Sequence, residues 1–404
     1  MQVGIVVAAL RKHRLATFLI AMEIAMACAV LSNAIFMFME KRRALNLISG
    51  VQESSLGVVQ IVGFSTDNAA DINARMVGAI QAIPGVQSVG VISAVPFGEP
   101  GVRAGVSTDE ALERDGGVLD IYLGDAVALT SLGMTVVAGR MPEPAEYAPI
   151  GQYVPSNANV LMTQQLAHRY WPGESAVGRS LWTFGTRFTV VGVVDHFVVS
   201  QPGGGEALGN DWSLIVPAVA GPQLVGRYVV RARPEDLPRI FGQVGTAVST
   251  AASEVVFDHS ASRPLSELRS DYFRSAKVMM GLLAAVIIAL LGATALGIVG
   301  LASYWVEQRR RQIGIRRALG ATRSDILRYF QIENFLIVSI GITVGLILSC
   351  AMNLGLMRFY ELPKLPLAYL PISAIVLWLL GQAAVLVPAL KASAITPVQA
   401  IRSL

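Results

Sequence analysis

Residues 278–306 read VMMGLLAAVIIALLGATALGIVGLASYWV, without one charged residue. About 20 mainly apolar residues suffice for a helix to cross the hydrocarbon core of a bilayer, so this stretch reads as a membrane span. Working outward, three more stretches pass the same test: 15–39, broken only by Glu23, then 334–357 and 365–390. Buried helices of a large soluble protein are usually shorter and rarely come four to a chain. Composition agrees: of 404 residues, 53% are hydrophobic and only 15% charged, against roughly 25% charged in an ordinary soluble domain. The chain reads as an integral membrane protein.

Short-loop Lys and Arg mark the cytoplasmic side of a span. Arg11, Lys12 and Arg14 precede the first span. The 307–331 loop carries Arg309, Arg310, Arg311, Arg316, Arg317, Arg323 and Arg328 against Glu307 and Asp325. Both segments are expected inside, and four spans then put both termini inside. Lys41, Arg42 and Arg43 point the other way and are outweighed. The expected layout is a cytoplasmic segment 1–14, a first span 15–40 and a large external domain 41–275. A second span 276–306, a cytoplasmic loop 307–331 and a third span 332–357 follow. A short external loop 358–370, a fourth span 371–390 and a cytoplasmic tail 391–404 complete it. The first span is expected to be an uncleaved signal anchor.

Between the first two spans, residues 44–274 hold 14 Arg, no Lys and 22 Asp+Glu, a net charge of −8. The whole chain is +4, so the rest is about +12 and the modest total hides an acidic domain between basic edges. Both cysteines, Cys28 and Cys350, fall in spans, so this domain relies on its own core rather than on disulfides. Strand 58–65, helix 69–82 and strand 86–95 form one β-α-β unit. Strand 226–231, helix 234–249 and strand 254–258 form another, suggesting one ferredoxin-like body assembled from both ends. Strands at 159–162, 187–194 and 213–217, with a short helix at 163–170, make the centre a strand-rich insertion at about 155–225. Residues 263–274 are expected to form a helix running on into the second span.

No chemistry of the common kinds is legible. There is no G-x-x-x-x-G-K-[ST] loop and no H-E-x-x-H, and His13, His168, His196 and His259 are too scattered for a metal cluster. Asp195-His196 lacks a serine motif such as G-x-S-x-G, leaving a structural or recognition role. Gly203 to Gly205 have no following helix and lysine to cradle a phosphate, so a flexible loop is expected. The expectation is a chain with no catalytic, cofactor or metal residues and no nucleic-acid partner; the basic loop is short and squeezed between spans, facing lipid headgroups or a protein. Glu23, the one charge within a span, is expensive to bury in lipid; it is either an intramembrane contact or a snorkelled or neutral Glu near the cytoplasmic third. Gly281, Gly292, Gly297 and Gly300 would allow close helix packing in the second span.

Two segments carry a family resemblance. EQRRRQIGIRRALGATRSDILRYFQIE (307–333) resembles the cytoplasmic loop of the FtsX-like permease family, the membrane subunits of type VII (MacB-like) ABC transporters. PALKASAITPVQAIRSL (388–404) resembles that family's C-terminal signature. LGMTVVAGR (132–140), VLMTQQLAHRYWPGESAVGRSL (160–181) and RFTVVGVVDHF (187–197) look like the MacB-like periplasmic core domain. The resemblance covers nearly all of the chain. It implies an α-helical membrane protein of the bacterial inner membrane, with four transmembrane helices and a large α+β periplasmic domain. That domain would have a Porter-like ferredoxin-like part and a strand-rich Sabre-like insertion.

It further implies a permease without its own engine. With no P-loop, ATP and Mg are expected on a separate ABC ATPase dimer docked on the cytoplasmic face. The 316–329 stretch is expected to form a helix along the membrane. Ile313, Ile315, Leu319, Ile326 and Leu327 would be its apolar side, with Arg316, Arg317, Arg323 and Arg328 toward headgroups or the ATPase. Gly320 would mark a break or a close contact. The implied mechanism is mechanotransmission: the loop moves on ATP binding and stalks at 44–52 and 263–274 carry the movement outward, driving efflux of an amphiphile, peptide or antibiotic-like substrate. A second permease, the same chain or a related one, is implied, as are a periplasmic adaptor and an outer-membrane channel. Lipoprotein extraction, and regulation of cell-envelope enzymes without transport, are the alternatives; the MacB-like phrases and the size of the domain argue against them. A peptide sensor is a further one, but such sensors typically carry ten spans.

Overall fold

The computed structural model describes residues 14–183, 185–203, 209–360 and 365–394. Expectations resting on Arg11, Lys12, Gly204, Gly205 and the tail beyond 394 lie outside them. The chain divides into two units. Ala44–Ser275 is one, and the helices before and after it form the other.

The described residues open with α1 (Arg14–Leu45), followed by β1 (Leu56–Val62), α2 (Ala69–Gln81) and β2 (Val86–Val91). Next come β3 (Val102–Ser107), β4 (Asp115–Gly124), α3 (Ala126–Ser131) and β5 (Val136–Gly139). The centre continues with β6 (Asn159–Thr163), α4 (Gln164–Tyr170), β7 (Ser180–Thr183), β8 (Thr186–Val194) and β9 (Ser213–Pro217). The domain closes with β10 (Arg227–Ala232), α5 (Leu237–Ala251), β11 (Val256–Phe257), β12 (Arg263–Pro264) and α6 (Leu265–Tyr272). Last are α7 (Arg274–Gln308), α8 (Arg310–Ala318), α9 (Arg323–Tyr360) and α10 (Leu370–Ala394).

In the large domain, one sheet has the order β11-β1-β10-β2, with every neighbouring pair antiparallel and β12 also on β1. Two β-α-β units from opposite ends of the domain therefore interleave in the split ferredoxin-like order. The helices cover this sheet because their apolar residues repeat at helical spacing. In α5, Leu237, Ile240, Val244 and Val248 are buried, and in α2, Ile72, Met76 and Ile80. Asn73, on the same face, is satisfied by Leu224 O at 2.9 Å and the Tyr228 hydroxyl at 2.9 Å.

The other sheet runs β5-β8-β6-β9-β4-β3-β7, and β7 pairs back onto β8. Six strands thus close into a ring, with the β3–β7 seam held at Ser107↔Trp182 and β5 as an annex on β8. Phe188, Val190, Val160 and Leu214 are fully buried in its core cluster. This body begins at Val102, not near 155. The strands β3, β4 and β7 escape a sequence reading for physical reasons: glycines and charges interrupt the apolar alternation of β3 and β4, and β7 is only four residues long. Asp120 sits inside β4 at 3% exposure, offset by Arg103 Nε at 2.8 Å and by Ser200 N and Oγ at 2.8 and 2.6 Å.

The expected helix over 263–274 is also broken. Its first two residues pair with β1, and α6 stops at Phe273 before α7 starts. Phe273 is buried, its ring 5.6 Å from Phe97 and 5.1 Å from Tyr272. Packing of that ring takes precedence over helix continuity.

In the helical unit, α1, α7, α9 and α10 are long and apolar enough to cross a membrane. Here the polar residues turn inward. Ser32 Oγ meets Ser373 Oγ at 2.7 Å, Asn33 donates to Ser349 Oγ at 3.1 Å, and Asn334 donates to Gly381 O at 2.9 Å. These bonds tie α1, α9 and α10 together. The close helix contacts lie at Gly341 and Gly345, where an added Cβ would stand 2.8 Å from Ile24 Cβ and 2.5 Å from Cys28 Cβ. Two packing glycines are therefore in α9, four residues apart, and Gly381 of α10 makes a third such contact, an added Cβ there standing 2.9 Å from Val338 Cγ2. Of the glycines expected to pack in α7, Gly281, Gly292 and Gly300 meet nothing within 4 Å. That helix turns most of its apolar surface outward, with only 11% of its most apolar window buried.

Candidate functional site

The arginine-rich connection is two helices, not one. Helix α8 ends in a Schellman turn: Ala321 N donates to Arg316 O at 3.1 Å and Gly320 N to Arg317 O at 3.2 Å. Gly320 has φ +102° and open space around it, so it is a helix stop rather than a close contact. Thr322 and Asp325 then form a reciprocal cap that starts α9, with Asp325 N to Thr322 Oγ1 at 3.2 Å and Thr322 N to Asp325 Oδ2 at 3.0 Å. The sequence LGATRSD is thus a stop and a start written back to back, which replaces the single 316–329 helix.

The root of this hairpin is buried and its tip is bare. Ile313 and Ile326 pack with Val306, Phe330, Ala389 and Ala392. Arg309 and Glu333, at 9% and 2% side-chain exposure, face each other, one guanidinium nitrogen lying 2.9 and 2.8 Å from the two carboxylate oxygens. Burying two charges is tolerable only with such complete pairing. The Arg309 guanidinium also lies 5.8 Å from the Trp305 ring centre. The sequence reading missed this pair; the signal was a carboxylate at the very edge of an apolar span.

Of the expected apolar side, Ile313 and Ile326 are buried and Leu327 partly so, whereas Ile315 and Leu319 point outward at 49% and 83% exposure. Arg316 lies over the Tyr329 ring at 4.9 Å, and Arg317 donates to Ser393 O at 2.9 Å. Arg323 and Arg328 are exposed. The tip therefore offers Ile315, Leu319 and Arg323 to a partner, while Arg316 and Arg317 are engaged within the chain.

Glu23 and Gly297, noted separately in the sequence, come together. A Cβ on Gly297 would be 2.2 Å from Glu23 Oε1, so the carboxylate occupies a notch that glycine alone provides.

In the large domain, Arg269 joins the two ends of the fold. It donates to Leu47 O at 2.5 Å and Leu45 O at 3.0 Å, reaches Glu53 Oε1 at 2.5 Å, and lies 5.1 Å from the Phe97 ring centre. Farther up, His196 Nδ1 meets Asp211 Oδ2 at 2.6 Å. That carboxylate, with Asp195 at 3.6 Å, holds the imidazole pKa above its ordinary value. Asp211 was not singled out in the sequence, lying fifteen residues away across a Gly-rich loop. Among the described residues no group of three or more His, Cys, Asp or Glu is placed to hold a metal ion.

Comparison with known proteins gives two family matches. The MacB-like periplasmic core domain matches residues 15–254, and the FtsX-like permease C-terminal region matches residues 282–397. The "Macrolide export ATP-binding/permease protein MacB" of Chromobacterium violaceum is 24% identical over 247 residues, covering 60% of this chain and 38% of that protein. Its namesake from Nitrosomonas europaea is 41% identical over 85 residues, covering 21% of this chain and 12% of that protein. The chain thus spans well under half the length of these relatives. Among solved structures, the periplasmic region of MacB from Actinobacillus actinomycetemcomitans aligns with 54% of this chain and 94% of its own, at 13% identity and TM-score 0.35.

Proposed function

The chain belongs to the FtsX-like permease family with a MacB-like periplasmic core domain, and on that premise we propose that it is the permease subunit of an ABC transporter working by mechanotransmission. In this reading it sits in the bacterial inner membrane with both termini inside and the large domain in the periplasm, where it has Porter-like and Sabre-like parts. It is not itself an enzyme. A separate ABC ATPase dimer carries ATP and Mg, docks on the α8–α9 hairpin and drives efflux of an amphiphile, peptide or antibiotic-like substrate. The partners are a second permease, and an adaptor with an outer-membrane channel.

The observation that carries the proposal is the hairpin's construction. A lever must be stiff at its root and available at its tip. The root has the buried Arg309–Glu333 pair and the Ile313–Ile326 contact, and the tip has an 83%-exposed Leu319 beside exposed Arg323. An exposed apolar side chain with an exposed cation four residues on fits an apolar groove with an acidic rim. ATP binding would then move the hairpin as a body.

The test is co-purification in detergent with the ATPase encoded beside it. Leu319→Asp with Arg323→Glu is expected to abolish recovery of the ATPase while the permease stays folded. These are cleaner positions than Arg316 or Arg317, whose reversal also breaks internal contacts. Recovery of no ATPase with the unaltered chain, or full recovery with the double variant, would sink the docking assignment.

A further inference from the structure

A cavity of about 560 Å³ opens on the large domain between α4 and the connection that follows β8. Its volume falls in the range of small-molecule pockets, roughly 300–1,000 Å³. Trp171, Ala167, Ala176 and Val193 give it apolar surface, while Asp195, His196 and Asp211 face into it. Among the described residues no Lys or Arg lines it. Of the neighbouring arginines, Arg169 stacks on the Trp212 ring at 3.9 Å, and Arg179 pairs with Glu174, one of the lining residues.

The charge balance inside is uneven. Two imidazoles, His168 and His196, and three carboxylates, Glu174, Asp195 and Asp211, line it; Glu174 is paired with Arg179, and the His196 hydrogen bond goes to Asp211. Asp195 lies 3.6 Å from His196 Nε2, beyond hydrogen-bond reach, and among the described residues its carboxylate accepts no hydrogen bond. The cavity lining thus combines an acceptor-rich negative wall with an indole. An ammonium gains from the carboxylates through charge-assisted hydrogen bonds, and an apolar body gains from contact with the indole.

That wall is also preorganised. Val198 N donates to Ser49 O at 3.0 Å, and Gly50, at φ +80°, lies so close that an added Cβ would be 1.9 Å from His196 O. A wall held in place before a ligand arrives loses little entropy on binding.

We propose that this cavity is a binding site for an organic cation with a compact apolar body, its ammonium seated at Asp195 and Asp211 and its apolar part against Trp171. Asp195, half-exposed and 3.6 Å from His196 Nε2, supplies a carboxylate that an ammonium can reach, and Asp211 both fixes His196 and adds negative charge. The site lies on the large domain alone and needs no ATPase, so it stands or falls separately from the proposed transport role.

Hexylammonium and hexanoate, matched in apolar length and opposite in charge, provide the test by equilibrium dialysis against the full chain in neutral detergent at pH 7. Hexylammonium is expected to bind saturably at one site per chain, and hexanoate at least tenfold more weakly. Asp195→Asn is expected to weaken hexylammonium about tenfold; because that side chain makes no hydrogen bond, an unchanged melting temperature will show the fold intact. Trp171→Ala is expected to weaken it further. Equal binding of the two probes, non-saturable uptake alone, or unaltered binding by a folded Asp195→Asn chain would each overturn the proposal.

Discussion

The large domain and the helical unit solve the same packing problem with opposite sides of their sequences. In the domain, apolar side chains such as Phe188, Met76 and Val244 are fully buried, and most arginines pair with carboxylates at its surface. In the helical unit, Leu282, Ile288, Leu296 and Ile347 face outward at 64 to 74% exposure, while Ser32, Asn33, Asn353, Arg309 and Glu333 are buried. The difference teaches what each surface is matched to. Water rewards burial of apolar area, whereas lipid is as apolar as the side chains, so association there rests on close packing and on polar groups bonded between helices.

The sharpest way to break this contrast is at its most buried charge. Glu333→Ala strands Arg309 and is expected to destabilise the helical unit by about 3–5 kcal/mol, read as a drop in thermal or SDS resistance. Arg309→Met with Glu333→Leu should recover most of that loss. The counterpart in the domain is Phe188→Ala, expected to cost about 3–5 kcal/mol through the cavity it leaves and to lower the domain's own melting transition. If the charge removal proves harmless and the aromatic removal severe, the two units follow one rule after all.

Next in size is a test of which glycines matter. Gly345→Leu places a side chain against Cys28 and Ala25 and should cost about 1–3 kcal/mol. Gly300→Leu adds apolar surface where nothing stands within 4 Å, and the same thermal assay should register no more than about 0.5 kcal/mol. Equal effects would refute the assignment of α9 as the packing helix.

The smallest expected effect is electrostatic. His196 is raised above its ordinary pKa, first by the hydrogen bond it donates to Asp211. Its contribution is therefore complete below the unfolded value near 6.5 and is lost as the pH rises through the raised value. With the imidazole about a third exposed, the expected magnitude is under about 1 kcal/mol. The stability gap between the unaltered chain and Asp211→Asn should narrow between pH 6 and pH 9; a gap that widens would reverse the assignment.

Much of this was legible because it is local. Hydropathy summed over 278–306 marks a span without reference to any other residue, and the spacing Leu237, Ile240, Val244, Val248 marks the buried face of α5. The stop-and-start at Gly320, Thr322 and Asp325 is equally local, written in residues that bond to one another, but apolar residues on both sides of Gly320 disguised it as the single helix expected over 316–329. The ring closure at Ser107↔Trp182 was not legible, because two short segments far apart in the chain meet only after the strands between them have paired. For the same reason Asp120 disguised β4 until Arg103 and Ser200 came to it.

By itself the sequence determined four stretches apolar enough to span a membrane, an acidic domain between the first two and an arginine-rich connection between the second and third. Length, hydropathy and charge accumulate along the chain, so these features need no partner. Tertiary structure alone decided which glycine is a contact and which is open, which isoleucine of 313 and 315 is root and which is tip, and that Asp195, His196, Asp211 and Trp171 share one cavity. A residue's type is a local property. The face it turns to its neighbours depends on what the rest of the chain brings there.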